Sequence, residues 1–154
     1  MRNCVVAVCL LATVASSCSG SSDTSTTTAS TSDCDSATPI VLADEGATEV
    51  QGVAKDATIY GLTLLTHIPP IHSGDEVKIV WRMTGEGELA VTYESPSGEP
   101  ADLLFGPERH GSSSYGRPGL EWGTGFLFDE PGCWHIHLER AVGAGDVWIN
   151  VVKA

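Results

Sequence analysis

The chain has 154 residues and a mass of 16.1 kDa, with 42% apolar and 18% charged residues, 8 Lys+Arg against 20 Asp+Glu, and a formal charge of −12. That is material for one domain with a packed core. The lack of clustered Lys and Arg argues against nucleic acid or an anionic lipid surface as partner. After the first residues no run is apolar for the roughly 20 positions that a membrane-spanning helix needs.

Residues 1–17 read as an export signal: a positive charge at Arg2, the apolar stretch CVVAVCLLATV, then Ala15, Ser16 and Ser17, with no acidic residue before Asp23. Small residues followed by Cys resemble a bacterial lipobox, in which the Cys is acylated and becomes the mature N-terminus. Cys18 is the expected lipidation site. Ala15 stands where that pattern usually carries Leu, so a signal-peptidase cut after Thr13-Val14-Ala15, with simple secretion, stays open, as does an uncleaved anchor. Acyl chains such as palmitate on Cys18 would hold the protein on the extracytoplasmic face of the cell membrane without help from its side chains. Loss of Arg2 with the signal leaves 7 basic against 20 acidic residues, a charge of −13.

Residues 18–37 read as a tether, because 11 of the 16 residues from Cys18 to Asp33 are Ser or Thr and none is a large apolar residue. Cys4 and Cys9 leave with the signal and Cys18 belongs to the anchor or tether, so Cys34 and Cys133 remain. In an oxidising compartment that pair is expected as a disulfide. The competing reading is a free Cys133 that ligates a metal.

From residue 38 to 154 the pattern is strands and turns. Short strands are expected around residues 39–43, 48–53 and 58–65. Val77, Ile79, Trp81 and Met83 then alternate with Lys78 and Arg82 up to Gly85-Glu86-Gly87, and Leu89, Val91 and Tyr93 alternate up to the turn Ser95-Pro96-Ser97-Gly98. Residues 106–121 (GPERHGSSSYGRPGLE) read as one long irregular loop, of the kind that often carries function. Phe126 and Phe128 precede the turn Asp129-Glu130-Pro131-Gly132, Trp134, Ile136 and Leu138 form the apolar face of the next strand, and Val147, Ile149 and Val151 that of the last. No window of twelve or more residues after the signal carries a capped helical period. Seven to nine short strands at this spacing predict an all-β, immunoglobulin-like sandwich, with a β-barrel as the alternative.

The runs KIVWRMTG (78–85), FGPERHG (105–111), EWGTGFLFDEPGCWHIHLER (121–140) and GDVWINVV (145–152) resemble a group of uncharacterised actinobacterial secreted proteins and lipoproteins. In that group a small immunoglobulin-like β domain ends in a hairpin with a Gly-Cys-Trp element, here Gly132, Cys133 and Trp134. Members often carry an earlier Cys near the start of the domain, matching Cys34. The resemblance, over roughly residues 59–152, implies a structural disulfide and implies no activity.

The sharpest chemical pattern is Cys133-Trp134-His135-Ile136-His137. On a strand, Cys133, His135 and His137 share one face, a row with the donor types of a copper or zinc half-site. A further ligand would come from His110 in the long loop, or from His67 and His72, which flank Ile68-Pro69-Pro70-Ile71. The plainer reading is a solvent-facing polar row. Glu108, Arg109, His110, Tyr115 and Arg117 combine charge and an aromatic, ingredients of a binding loop and equally of a mobile connector. Asp75-Glu76 and Asp129-Glu130 fall at turns, where solvated acids are common. Ser112-Ser113-Ser114 lacks the G-x-S-x-G pattern, so a hydrolase has no positive support. The four tryptophans, Trp81, Trp122, Trp134 and Trp148, read as packing residues, and an exposed pair would instead suit carbohydrate. The function expected from these features is an extracytoplasmic, lipid-anchored binding module of the cell envelope, without catalysis and with an unidentified envelope ligand or protein as partner. The alternative is a copper or zinc binder built on His135 and His137.

Overall fold

The computed structural model describes Cys34 and residues 37–42, 48–111 and 113–154. The expected signal, Cys18 and nearly all of the tether lie outside the described residues. Regular elements among the described residues are all strands: β1 (Val41–Leu42), β2 (Thr48–Gln51), β3 (Val53–Lys55), β4 (Ile59–Leu64), β5 (Ile71–His72), β6 (Asp75–Met83), β7 (Ala90–Glu94), β8 (Pro100–Ala101), β9 (Phe105–His110), β10 (Leu120–Phe128), β11 (Gly132–Glu139) and β12 (Ala144–Val152).

They form two sheets, in the orders β1-β2-β4-β6-β10-β9 and β3-β12-β11-β7-β8. Neighbours on both paths run antiparallel, and β5 adds a short parallel pairing to β12. The sheets face each other as a sandwich, as the alternation predicts. Period-two patterning sends Val77, Ile79, Trp81 and Met83 of β6 inward, where they meet Trp134, Ile136 and Leu138 of β11 and Val147, Ile149 and Val151 of β12 in one buried cluster. Fully burying each such large side chain is worth about 1.5–3 kcal/mol. Tyr93 stacks on Trp134 at 5.5 Å and meets the edge of Phe126 at 5.1 Å, while its hydroxyl donates to the Asp102 carbonyl at 2.9 Å, so its polar tip is satisfied at the rim of the core. Gly61 in β4 leaves the room that Trp81 fills: a Cβ there would lie 2.5 Å from the indole.

Residues 106–121 are not a single loop. Their first part is the edge strand β9, paired with β10 through His110↔Glu121, Arg109↔Trp122 and Glu108↔Gly123, and the irregular segment comprises residues 111 and 113–119 of those described. An edge strand needs only backbone pairing on one side, so Gly106, Pro107 and three charged or titratable residues gave no apolar alternation to read. The strand read at Phe126 and Phe128 begins six residues earlier, at Leu120. Its outward positions include Gly123 and Gly125, the latter lying beneath the Phe105 ring, and these glycines hide the inward series Trp122, Thr124, Phe126 and Phe128.

Cys34 and Cys133 are bonded, with Cα atoms 5.0 Å apart, inside the range that a disulfide spans. Beyond the bridge the chain lies along β12, the Thr38 amide donating to the Trp148 carbonyl at 2.8 Å and the Trp148 amide to Thr38 Oγ1 at 3.1 Å.

Candidate functional site

The register of β11 with β12 and β7 places Cys133, His135 and His137 on the outward face of the second sheet, across from Asn150, Trp148 and Asp146 on one side and from Glu94 and Thr92, opposite the two histidines, on the other. Asp146 Oδ1 is 2.8 Å from both His135 Nε2 and His137 Nδ1. Burial pushes the Asp146 carboxyl up, but the bonds from His137 and His135 outweigh it and hold the group below its ordinary value. His135 also stacks on Trp148 at 5.1 Å, with the planes 15° apart. Three of the four tryptophans are core residues, and Trp148 is the half-buried one.

This row differs from the expected half-site in two ways. Cys133 is tied to Cys34 and offers no thiolate. His110 belongs to β9 at the edge of the other sheet and lies beside Glu121 on that sheet's outward side, so it does not join His135 and His137. The two imidazoles converge on a carboxylate rather than on one another, with ring centroids 6.5 Å apart.

The loop residues are largely spent on the fold. Residues 113–119 lie across the outward face of the first sheet, where Arg117 grips Glu49 of β2 with Nε and Nη2 at 2.7 Å from its two carboxylate oxygens. The Tyr115 hydroxyl donates to the same carboxylate at 2.7 Å, and the Arg117 guanidinium sits 4.9 Å over the Tyr60 ring. Arg82 of β6 holds the loop backbone, donating to the Tyr115 and Gly119 carbonyls at 2.8 Å, and its Nε lies 3.1 Å from Glu121. Ser113 donates to Glu121, and His110 Nδ1 is 3.4 Å from the other Glu121 oxygen. Glu49 and Glu121 are only 4% and 2% exposed, so these partners are what make two buried carboxylates tolerable. Burial raises the Glu49 carboxyl, yet the bonds from Arg117 and Tyr115 leave it lowered overall. Burial and the Glu49 contact push the Tyr115 phenol up, so it stays a donor. Glu108 and Arg109 are exposed, and Arg109 meets Glu88 at 3.2 Å. Tyr115 and Arg117 strap the segment to the sheet, which differs from the mobile connector that is one expectation for it.

Arg140 and, in the group around His67 and His72, the part played by Asp75 escaped the sequence reading. Arg140, 5% exposed, closes one end of the sandwich, donating to the Gly87 carbonyl through Nε and Nη2 and to the Met83 carbonyl at 3.0 Å, with its guanidinium 4.7 Å over the Trp122 ring. Near β5, His67, His72 and Asp75 meet with one ligand atom from each inside a 4.8 Å circle. Nothing in the sequence marks Asp75 as the partner of the two histidines, because a turn acid ordinarily faces water. His67 also borders an open groove of about 440 Å³ lined by Leu42, Leu64, Leu65, Ile68 and Pro69. No family model, curated protein or solved structure matches this chain.

Proposed function

We propose that the chain is an extracytoplasmic, lipid-anchored β-sandwich that serves as a binding module of the cell envelope, on the pattern of the actinobacterial secreted proteins and lipoproteins its C-terminal half resembles. The observation that carries the reading is the Cys34–Cys133 bridge, which fits an oxidising compartment and fastens the sandwich at the residue where the Ser/Thr-rich tether ends. The outward face of β12, β11 and β7 offers Trp148, His135, His137, Asp146 and Glu94 side by side, an aromatic and titratable surface suited to recognition rather than to nucleophilic chemistry. Among the described residues no helix is long and apolar enough to cross a membrane. The test is fractionation of cells that express the chain or its Cys18→Ser variant. The wild type should sediment with membranes and the variant appear in the soluble extracytoplasmic fraction; a variant that stays with membranes would sink the anchor. The labelled Cys18→Ser chain should then bind isolated envelopes saturably, with weaker binding after Glu94→Ala and His137→Ala.

A further inference from the structure

We propose that His67, His72 and Asp75 form a binding site for one divalent borderline cation, Zn²⁺ in the first place, a site separate from the His135/His137 row and independent of the envelope-binding reading. His67 follows β4, His72 ends β5 and Asp75 opens β6, so the turn through Ile68-Pro69-Pro70 and the turn at Ser73-Gly74 bring three donors from adjoining elements to one place. His67 Nε2 is 2.9 Å from Asp75 Oδ2 and His72 Nδ1 is 3.9 Å from the same oxygen. Ligands held about 2.0–2.2 Å from a tetrahedral zinc lie roughly 3.3–3.5 Å apart, between those two distances. All three donors lie within 4.8 Å of one another, so side-chain rotation has to draw the two imidazoles together around an ion.

The hydrogen bonding of the same residues orients the donors. His67 Nδ1 lies 2.9 Å from the Ile68 carbonyl, an oxygen that can only accept, so Nδ1 carries its hydrogen. That leaves Nε2 facing a carboxylate oxygen 2.9 Å away, a gap that either a second ring proton or a cation fills. With a cation there, the Nδ1–H to carbonyl bond is the outer contact by which proteins orient a ligating imidazole. Asp75 is held as well, for its Oδ2 accepts the His72 backbone N–H at 2.7 Å, which fixes the carboxylate against the turn. The side chains are 35%, 38% and 24% exposed, so an ion has a path in and keeps a position open to water or to a donor from a bound molecule. Two imidazoles and one carboxylate suit zinc and neighbouring transition ions better than calcium or magnesium, which take all-oxygen sites.

The competing account of the short His67–Asp75 contact is a proton in the gap, a plain imidazolium–carboxylate pair that binds no metal. The test uses the purified full chain, stripped with a chelator and titrated calorimetrically with Zn²⁺, alongside His67→Gln, His72→Gln and the double variant His135→Gln/His137→Gln. One equivalent should bind, each of the first two variants should weaken it at least tenfold, and the double variant should bind like wild type. A wild-type measurement that needs no substitution is zinc protection of histidines against diethyl pyrocarbonate, mapped by mass spectrometry. His67 and His72 should be protected while His135 and His137 still react. No retained zinc, unchanged affinity after His67→Gln and His72→Gln, or protection confined to His135 and His137 would each overturn the proposal.

Discussion

Replacing both Cys34 and Cys133 with Ser removes a link between positions 99 residues apart. In the chain-entropy model a loop of that length lowers the entropy of the unfolded ensemble by about 16 cal/mol/K, or about 4.7 kcal/mol at 25 °C. Part of the native state's hold on this segment survives the change, because the two Thr38–Trp148 hydrogen bonds and the packing of Ile40 against the core do not depend on sulfur. Those contacts keep the native side unstrained, so nearly the whole effect falls on the unfolded state and the expected loss is about 3–5 kcal/mol. Against a typical domain stability of about 5–15 kcal/mol that is a large share. Urea unfolding followed by the fluorescence of the buried Trp81, Trp122 and Trp134 measures it. The midpoint should fall, and the slope should rise because an uncrosslinked chain exposes more surface on unfolding. Wild type in reductant should reproduce the double variant. A loss below about 1 kcal/mol with an unchanged slope would refute the argument that the bridge acts by restricting the unfolded chain.

Arg117→Leu leaves Glu49 buried with only the Tyr115 hydroxyl and should destabilise the fold, by less than the loss of a wholly buried partner would because Arg117 itself is 40% exposed; equilibrium denaturation checks it, and an unchanged midpoint would count against the network. The Glu49 carboxyl lies lower in the fold than in the unfolded chain, so its stabilisation is complete above the ordinary carboxylate range and is lost as pH falls through the folded value. Glu49→Gln should therefore flatten the acid limb of a melting-temperature profile, and an identical acid limb in the variant would count against the network. Arg140→Met should cost about 2–4 kcal/mol, since it strips donors from the Gly87 and Met83 carbonyls and the cation from the Trp122 face; a neutral result in thermal melts would mean that the end of the sandwich repacks. Gly61→Ala drives a methyl into Trp81 and Val50 and should cost about 1–3 kcal/mol in the same assay.

The strands legible in the sequence are those whose two faces differ. Val77, Ile79, Trp81 and Met83 alternate with Lys78 and Arg82, and the last hairpin repeats the pattern with Trp134, Ile136, Leu138, Val147, Ile149 and Val151; every one of these apolar residues is buried. The signal fails where an outward position holds glycine, as at Gly123 and Gly125, or where a strand such as β9 is an edge held by its backbone. Candidate site residues fared according to range. Neighbours on one strand, Cys133, His135 and His137, share a face as strand geometry dictates. Pairings between distant segments are invisible to spacing: Glu49 meets Arg117 across 68 residues, Arg140 meets Gly87 across 53, and Asp146 meets His135 across 11 through a register that no single strand encodes. His67 and His72 could be picked out as flanking residues, but their convergence on Asp75 depends on the path of two turns.

The distribution of cations links the fold to the partners it admits. Beyond Arg2 the chain has seven Lys and Arg, and three of them, Arg82, Arg117 and Arg140, are engaged in contacts within the fold: Glu121 and the loop backbone, Glu49, and the carbonyls at the end of the sandwich. Lys78 lies over the Phe105 ring and Arg109 pairs with Glu88, which removes two more from free display. The carboxylate partners Glu49 and Glu121 are withdrawn with Arg117 and Arg82, so the accessible surface keeps the acidic excess of the composition, and its field repels anionic lipid and phosphate polymers while drawing in cations. A domain with that surface does not reach a membrane by its own charge, which is the physical reason a covalent anchor at Cys18 belongs to the proposed function. The same field raises the local concentration of divalent ions around the three donors of the proposed metal site.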